Sequence, residues 1–238
     1  MSAKSVLITG PSGRGAVWAD AARAAGWEPH VCELLDIKIH AIPAPRPRPD
    51  WVVVASKNAL HALEPLRAAL RGVRCACVGR PSAAALERMG LVAGIPHAVD
   101  AADLLARLTP LLSPGIRILA PRGSRSDELA RALAALGAHV DAPIAYTSHT
   151  RVQTAPLPHA DAVFFASASG VAAWCEHRLR GGAPVGPPSA GLALGRSTRR
   201  ELDRRCTLEP GLFDPILELP RPEPNDLCAL LRHLLTLP

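Results

Sequence analysis

Two serines stand at matching places in the two halves of the chain, each directly after an apolar run. Ser56 follows residues 51–55 and Ser167 follows residues 162–166, at an offset of 111 residues. A serine at the end of a buried strand can cap the next helix by accepting a backbone N–H. Its hydroxyl can also donate to a carboxylate, which the N-terminus of a helix attracts. We take both serines as candidates for both roles.

A second pair of hydroxyl side chains follows the same arrangement. Ser82 and Thr198 lie 116 residues apart, and each is predicted to cap a helix and to offer a hydroxyl to an anion. Ser169 and Gly170 come directly after Ser167 and add a hydroxyl and a backbone N–H. All four are candidates for binding an acidic ligand.

Tyr146 and Arg122 are the other candidates, because a phenol donates hydrogen bonds and a guanidinium pairs with carboxylates. The alternatives are an ordinary strand-end tyrosine and a solvated surface arginine. Tyr146 is the only tyrosine of the chain. The six cysteines and nine histidines lack the paired spacing of a metal site, so we expect no bound metal.

The charge of the chain indicates acidic partners. Lys and Arg number 27 against 21 Asp and Glu, and the sequence pI is about 9.4, so the surface attracts anions. Nucleic acid is not expected, because one Tyr, three Phe and no block of basic residues provide neither a stacking platform nor a basic arm. A polycarboxylate is the better candidate.

The sequence predicts a soluble cytoplasmic protein. The apolar run at residues 6–8 is too short for a signal peptide, and no segment reaches the ~20 apolar residues of a membrane span. Dispersed thiols in such a chain are typical of a reducing compartment. Cys75 and Cys77 alternate within an apolar run, so we expect both on one buried face of a strand.

The two halves of the chain are copies of one arrangement. In each copy strands alternate with helices, and the first helix is predicted to end at Gly26 or at Gly137. The offset between the copies grows from 111 to 123 residues, because the second copy carries extra residues near 181–188 and 209–224. This alternation predicts an α/β fold with parallel sheets covered on both faces.

Proline-rich stretches lie inside the copies and not between them. Residues 41–49 contain four prolines, and residues 147–158 occupy the same place in the second copy. Such stretches are extended and stiff, so we predict two similar parallel-sheet α/β domains joined by a two-stranded linker. The predicted bounds are residues 1–36 with 159–238 for a discontinuous first domain, 43–146 for the second, and 37–42 and 147–158 for the linkers.

Five stretches together resemble the uroporphyrinogen-III synthase family. They occur in the family's order, and the resemblance that they carry together extends over nearly the whole chain. They are residues 52–60 (VVVASKNAL), 78–83 (VGRPSA), 117–146 (RILAPRGSRSDELARALAALGAHVDAPIAY), 164–170 (FFASASG) and 194–198 (LGRST). The resemblance implies a cofactor-free enzyme of tetrapyrrole synthesis with two α/β domains joined by a two-stranded connector.

The resemblance also implies a reaction. Hydroxymethylbilane, a polycarboxylate, would lose its hydroxyl to give an azafulvene, and the substituted carbon of ring D would then attack to give a spiro intermediate that rearranges and closes. Since the substrate also cyclises unaided, the protein would mainly hold one folded geometry. A transient contact with the upstream deaminase is a possible partnership, and we take a monomer as the working expectation.

The resemblance assigns roles to individual residues. Tyr146 matches a family tyrosine that would donate a hydrogen bond to the leaving hydroxyl. Three positions depart from the family pattern: Gly10 stands where the family often has Arg, and Ala55 and Ala166 stand where it often has Thr, with Arg14 as a candidate replacement for the missing charge. The substrate-binding residues that it implies are Ser56, Ser82, Arg122, Ser167, Ser169, Gly170 and Thr198.

Two other classes of protein remain as alternatives. The turn at residues 9–16 (TGPSGRGA), with Asp36 further on, resembles the dinucleotide-binding turn of nicotinamide-dependent dehydrogenases. Short-chain dehydrogenases place a Lys four residues after their catalytic Tyr, whereas Thr150 stands there in this chain. The second alternative is a non-catalytic protein that closes two α/β lobes on an anion.

Overall fold

Strands and helices alternate along the chain, and the computed structural model describes residues 3–11, 13, 15–125, 127–153, 155–181 and 189–236. Arg14 and most of the predicted insertion near 181–188 lie outside the described residues. In the first half of the chain the elements are β1 (Ser5–Pro11), α1 (Ala16–Ala24), β2 (Glu28–Ile39), β3 (Trp51–Val54), α2 (Lys57–Leu63), a 3-10 turn (Glu64–Leu66), α3 (Arg67–Leu70), β4 (Arg74–Cys77), α4 (Arg80–Arg88), β5 (Val92–Ala93), α5 (Ala101–Leu108) and a second 3-10 turn (Thr109–Leu111). In the second half they are β6 (Arg117–Leu119), β7 (Arg122–Gly123), α6 (Glu128–Ala135), β8 (His139–Asp141), β9 (Ile144–Thr150), β10 (Ala162–Phe165), α7 (Ala168–Gly181), β11 (Ser189–Ala193), α8 (Arg196–Leu208), β12 (Phe213–Glu218) and α9 (Pro224–Leu235).

The chain divides into two compact units. Residues 1–36 and 149–238 form one, which we call the split unit, and residues 37–148 form the other, the central unit. The strands of the split unit lie in the order β12-β11-β10-β1-β2, and those of the central unit in the order β5-β4-β3-β6-β8. The pairings within each of these rows are parallel, which confirms the predicted α/β class.

Each sheet combines strands from both copies of the repeat. In the split unit β1 and β2 come from the first copy and β10 to β12 from the second. In the central unit β3 to β5 come from the first copy, and β6 and β8 come from the second. An aspartate at the same place in each copy forms a hydrogen bond with the backbone of the other copy. The Asp50 carboxylate accepts the N–H of Arg117 at 2.9 Å, and the Asp161 carboxylate accepts the N–H of Ser5 at 2.7 Å. Neither copy therefore contains a complete sheet.

The apolar residues of each unit pack against others of the same unit. The four residues of β3 and the four of β10 are all buried, as expected of central parallel strands covered on both faces. Cys75 and Cys77 lie in one apolar cluster with Val52, which confirms that they share a face of β4. Burial raises the pKa of the Cys75 thiol to about 12 and that of Cys77 to about 11, so both are protonated at neutral pH.

The predicted glycine ends of two helices agree with the structure, whereas the predicted side-chain caps of two other helices do not. Gly26 and Gly137, which follow α1 and α6, have φ values of 83° and 86°, as helix-terminating glycines do. Helices α4 and α8 begin directly after Gly79 and Gly195, and neither has a side-chain cap. The prediction that Ser82 and Thr198 cap these helices is therefore wrong, because both residues lie within the first turn.

The segments that join the two units include strands. Strand β2 continues to Ile39 and β9 runs from Ile144 to Thr150, so the predicted linkers at 37–42 and 147–158 begin within regular structure. The proline-rich residues 41–49 belong to the central unit. Among the described residues no helix is long and apolar enough to cross a membrane.

Independent folding of the central unit is a prediction that follows from this division. A fragment of residues 37–148 keeps the five strands of its sheet and both of its apolar clusters, so we expect cooperative unfolding in urea. A fragment of residues 1–112, one whole repeat, lacks β6 and β8 from one sheet and β10 to β12 from the other. We expect it to remain unfolded by circular dichroism, and cooperative unfolding of 1–112 alone would contradict the assignment.

Candidate active site

A small pocket in the central unit brings together three of the residues that the sequence singles out. Ser56, Arg122 and Tyr146 all line it, although they are far apart in the sequence. The pocket lies where β3 and β6 end, which is the usual place for a site in a parallel α/β sheet. Its volume is about 60 Å³, so it can hold a small part of a large ligand. The other residues that line it are Val53, Ala55, Ala120, Pro121, Gly123, Leu129 and Ala130.

The backbone around Tyr146 places its ring against a glycine. Tyr146 lies in β9, where it is the register partner of Gly123 in β7, and its carbonyl accepts the N–H of Ser124 at 3.1 Å. A Cβ at position 123 would lie 2.7 Å from Cζ and 2.9 Å from the hydroxyl oxygen of Tyr146. Real Cβ atoms do not approach so closely, so the ring occupies space that any other residue at 123 would fill.

Ser56 is the hydrogen-bond partner of the Tyr146 hydroxyl. The Tyr146 hydroxyl donates to Ser56 Oγ over 3.1 Å. Ser56 Oγ also accepts the N–H of Asn58 at 3.3 Å, which confirms the predicted cap of α2. Both side chains are half-buried. The pairing joins residues of different copies, 90 positions apart, and it holds the phenol oxygen at the wall of the pocket.

Arg122 supplies positive charge to the same pocket. Its side chain is half-buried, and its guanidinium donates to the carbonyl oxygen of Gly123 at 3.2 Å. A guanidinium carries five N–H donors in a planar fork, so others can still bind a carboxylate. Ser82, by contrast, is 4% exposed in the first turn of α4 and does not line this pocket.

The candidates of the split unit lie at the carboxyl ends of β10 and β11. Ser167 Oγ accepts the N–H of Gly170 at 3.1 Å at the start of α7, which confirms the predicted cap. A Cβ on Gly170 would lie 3.5 Å from both Ser167 Oγ and Thr9 Oγ1. Ser169 is half-buried beside them in the first turn of α7, and Thr198 is 2% exposed in the first turn of α8.

Gly123 and Thr9 are residues that sequence reasoning did not select. Gly123 has no side chain and so leaves the space that the Tyr146 ring occupies. Its place directly after Arg122 was the signal in the sequence that could have marked it as a site residue. Thr9 is 1% exposed and donates to the carbonyl oxygen of Phe164 at 2.9 Å. The signal for Thr9 was a hydroxyl at the end of an otherwise apolar strand.

A larger pocket of the central unit contains none of the predicted site residues. Its volume is about 380 Å³, and it lies between the proline-rich segment and strands β6 and β8. Arg46 and Arg117 line it together with Asp141, so charges of both signs border an open surface. In the part of the chain that the structure describes, no three His, Cys, Asp or Glu side chains are grouped as metal ligands would be.

The two α/β units, each with a parallel sheet built from both copies of the repeat, define the class of fold. The sequence model of uroporphyrinogen-III synthase HemD matches residues 16–205, most of the chain. The chain therefore belongs to the uroporphyrinogen-III synthase family, a family of enzymes of tetrapyrrole synthesis, as its sequence predicted. This match supports neither the dehydrogenase nor the non-catalytic alternative.

Solved structures are similar in fold. One is the uroporphyrinogen-III synthetase from Helicobacter pylori, with a TM-score of 0.67 and 15% identity over 98% of this chain and 100% of that one. Another is a mutant uroporphyrinogen III synthase from the extremely thermophilic bacterium Thermus thermophilus, with a TM-score of 0.63 and 20% identity over 99% of this chain and 100% of that one. No curated protein matches the chain.

Proposed function

We propose that this protein is a uroporphyrinogen-III synthase, a hydro-lyase that converts hydroxymethylbilane to uroporphyrinogen III with loss of water and inversion of ring D. Membership of the family supports the proposal. The observation that carries it is the Tyr146 hydroxyl, which lies 3.1 Å from Ser56 Oγ at the wall of a pocket that also contains Arg122.

In this proposal Tyr146 donates a hydrogen bond to the hydroxyl that leaves the substrate. The pocket is small, so it receives the hydroxymethyl end of the substrate and not the whole tetrapyrrole. The C–O bond breaks there, the hydroxyl leaves as water, and the pyrrole N–H of the same ring loses the balancing proton. A fixed donor beside the departing oxygen lowers the barrier, because it stabilises the charge that develops during bond breaking.

The remaining candidates bind the carboxylates of the substrate. Arg122 is suited to this by charge and by its place in the pocket, and Ser167 and Thr198 by their positions at the N-terminal turns of α7 and α8, where a helix favours anions. The proposed carboxylate-binding residues are Ser82, Arg122, Ser167, Ser169, Gly170 and Thr198.

The reaction should need no cofactor, because the substrate is already reactive and the protein has only to select one geometry. A cytoplasmic location, a monomeric state and transient delivery of the substrate by the upstream deaminase complete the proposal. None of these three is required by the chemistry at Tyr146.

The proposal is tested by the isomer that the protein forms. Hydroxymethylbilane is generated in situ by its upstream enzyme, metal-stripped and nucleotide-free protein is added, and the oxidised uroporphyrin isomers are separated. We expect mainly the type III isomer. Formation of type I alone, at the rate without protein, would exclude this activity.

A further inference from the structure

We propose that Ser56 acts on the reaction through Tyr146, by reversing the direction of their hydrogen bond, and does not bind a substrate carboxylate. This inference rests on the proposed function and makes Ser56 a positioning residue. The observations that carry it are the 3.1 Å contact between the two hydroxyls and the 3.3 Å bond that fixes Ser56 to the N–H of Asn58.

The two hydroxyls have few hydrogen-bonding positions between them. A serine hydroxyl has one donor and two acceptor positions, and a tyrosine hydroxyl has a single O–H. Ser56 Oγ accepts from both Asn58 and Tyr146, so both of its acceptor positions are used. While Tyr146 donates its only hydrogen to Ser56, that hydrogen cannot also reach the leaving hydroxyl of the substrate.

Reversal of the bond removes this conflict without moving a heavy atom. The Ser56 hydroxyl rotates and donates to the Tyr146 oxygen over the same distance, still accepting the N–H of Asn58. The Tyr146 hydrogen is then free to point at the departing hydroxyl. No proton passes between the two residues. As negative charge builds on the Tyr146 oxygen, the bond from Ser56 becomes charge-assisted and strengthens, which favours the transition state.

The corresponding serine of the other copy cannot play this part. Ser167 also accepts an N–H at the start of a helix, from Gly170 at 3.1 Å. The position that matches Tyr146 at the offset of 111 residues is Leu35, which has no hydroxyl and is 2% exposed. Ser167 is therefore a matched control, since its replacement removes a similar cap without touching the tyrosine.

The inference predicts a distinctive pattern for Ser56→Ala. We expect kcat to fall about 10-fold with KM within about twofold of wild type, because the lost bond to the Tyr146 oxygen stabilises the transition state and not the bound substrate. Ser56→Thr retains a hydroxyl and should restore most of kcat. In a Tyr146→Phe background Ser56→Ala should lower kcat no further, since the two residues act as one unit. For Ser167→Ala we expect a higher KM instead.

A spectroscopic measurement separates this inference from the proposed function. Because Tyr146 is the only tyrosine, the tyrosine doublet in the ultraviolet resonance Raman spectrum reports the hydrogen bonding of this one hydroxyl, even without turnover. The doublet should change in Ser56→Ala and not in Ser167→Ala. An unchanged doublet in folded Ser56→Ala, or a raised KM with wild-type kcat, would overturn the inference. Type I product alone from the wild-type protein would instead overturn the proposed function, together with the catalytic part of the inference.

Discussion

Replacement of Tyr146 by Phe is expected to lower kcat by about 10- to 100-fold. The change removes one hydroxyl and keeps the ring that packs against Gly123, so the pocket retains its shape. Typical contributions of a positioned acid or base are about 10²- to 10⁴-fold. The expected loss lies at or below the lower end of that range, because the substrate is reactive even in water. KM should change little if the hydroxyl acts mainly in the transition state.

The measurement is steady-state formation of the type III isomer, with the melting temperature of the variant as its control. Tyr146→Ala is the informative comparison, since it removes the packing of the ring as well and should also lower the melting temperature. Wild-type kcat for a Tyr146→Phe protein with an unaltered melting temperature would remove this residue from the mechanism.

Replacement of Gly123 by Ala should have an effect of similar size through a different route. The new Cβ would lie 2.7 Å from Cζ of Tyr146 and 2.9 Å from its hydroxyl oxygen, so the ring has to move. When the Tyr146 ring moves, its hydroxyl loses the 3.1 Å hydrogen bond to Ser56 and no longer lies where it can donate to the leaving hydroxyl of the substrate. We expect kcat to fall by about as much as in Tyr146→Phe, with a loss of about 1–3 kcal/mol in the free energy of unfolding from overpacking.

A double-mutant cycle separates the two effects of Gly123→Ala. In the Tyr146→Phe background it should still lower stability, because the Phe ring meets the same Cβ, but it should lower kcat no further. Gly10→Ala is the control for the substitution itself, since a Cβ at that position meets nothing within 4 Å; its melting temperature should match wild type. Additive losses of kcat in the cycle would show that Gly123 acts independently of Tyr146.

Several features of this protein could be predicted from the sequence because they depend on local patterns. Wholly apolar runs predict buried parallel strands, and β3 and β10 lie where those runs occur. A serine directly after such a run predicts a helix cap, which Ser56 and Ser167 provide. The repeat and the ordered family stretches also carried the prediction of the family, which the match over residues 16–205 confirms.

Local patterns were less informative where two residues a few positions apart could each mark the start of a helix. Gly79 and Ser82 are both acceptable at the start of a helix, and the hydroxyl is the better known cap. In the structure the helix begins at the glycine, which has a φ of 81°, and the hydroxyl three positions later is buried. The backbone conformation at Gly79 decided between them, and residue type does not reveal it.

The sequence by itself therefore determined the α/β class, the repeat, the family and the residues able to take part in chemistry. Only the tertiary structure decided which of them meet. Tyr146 and Ser56 are 90 residues apart, and their contact depends on the register that places Tyr146 opposite Gly123 and on the turn that fixes Ser56. The physical reason is that a hydrogen bond requires about 3 Å between two atoms, and spacing along a chain does not specify a distance across a sheet.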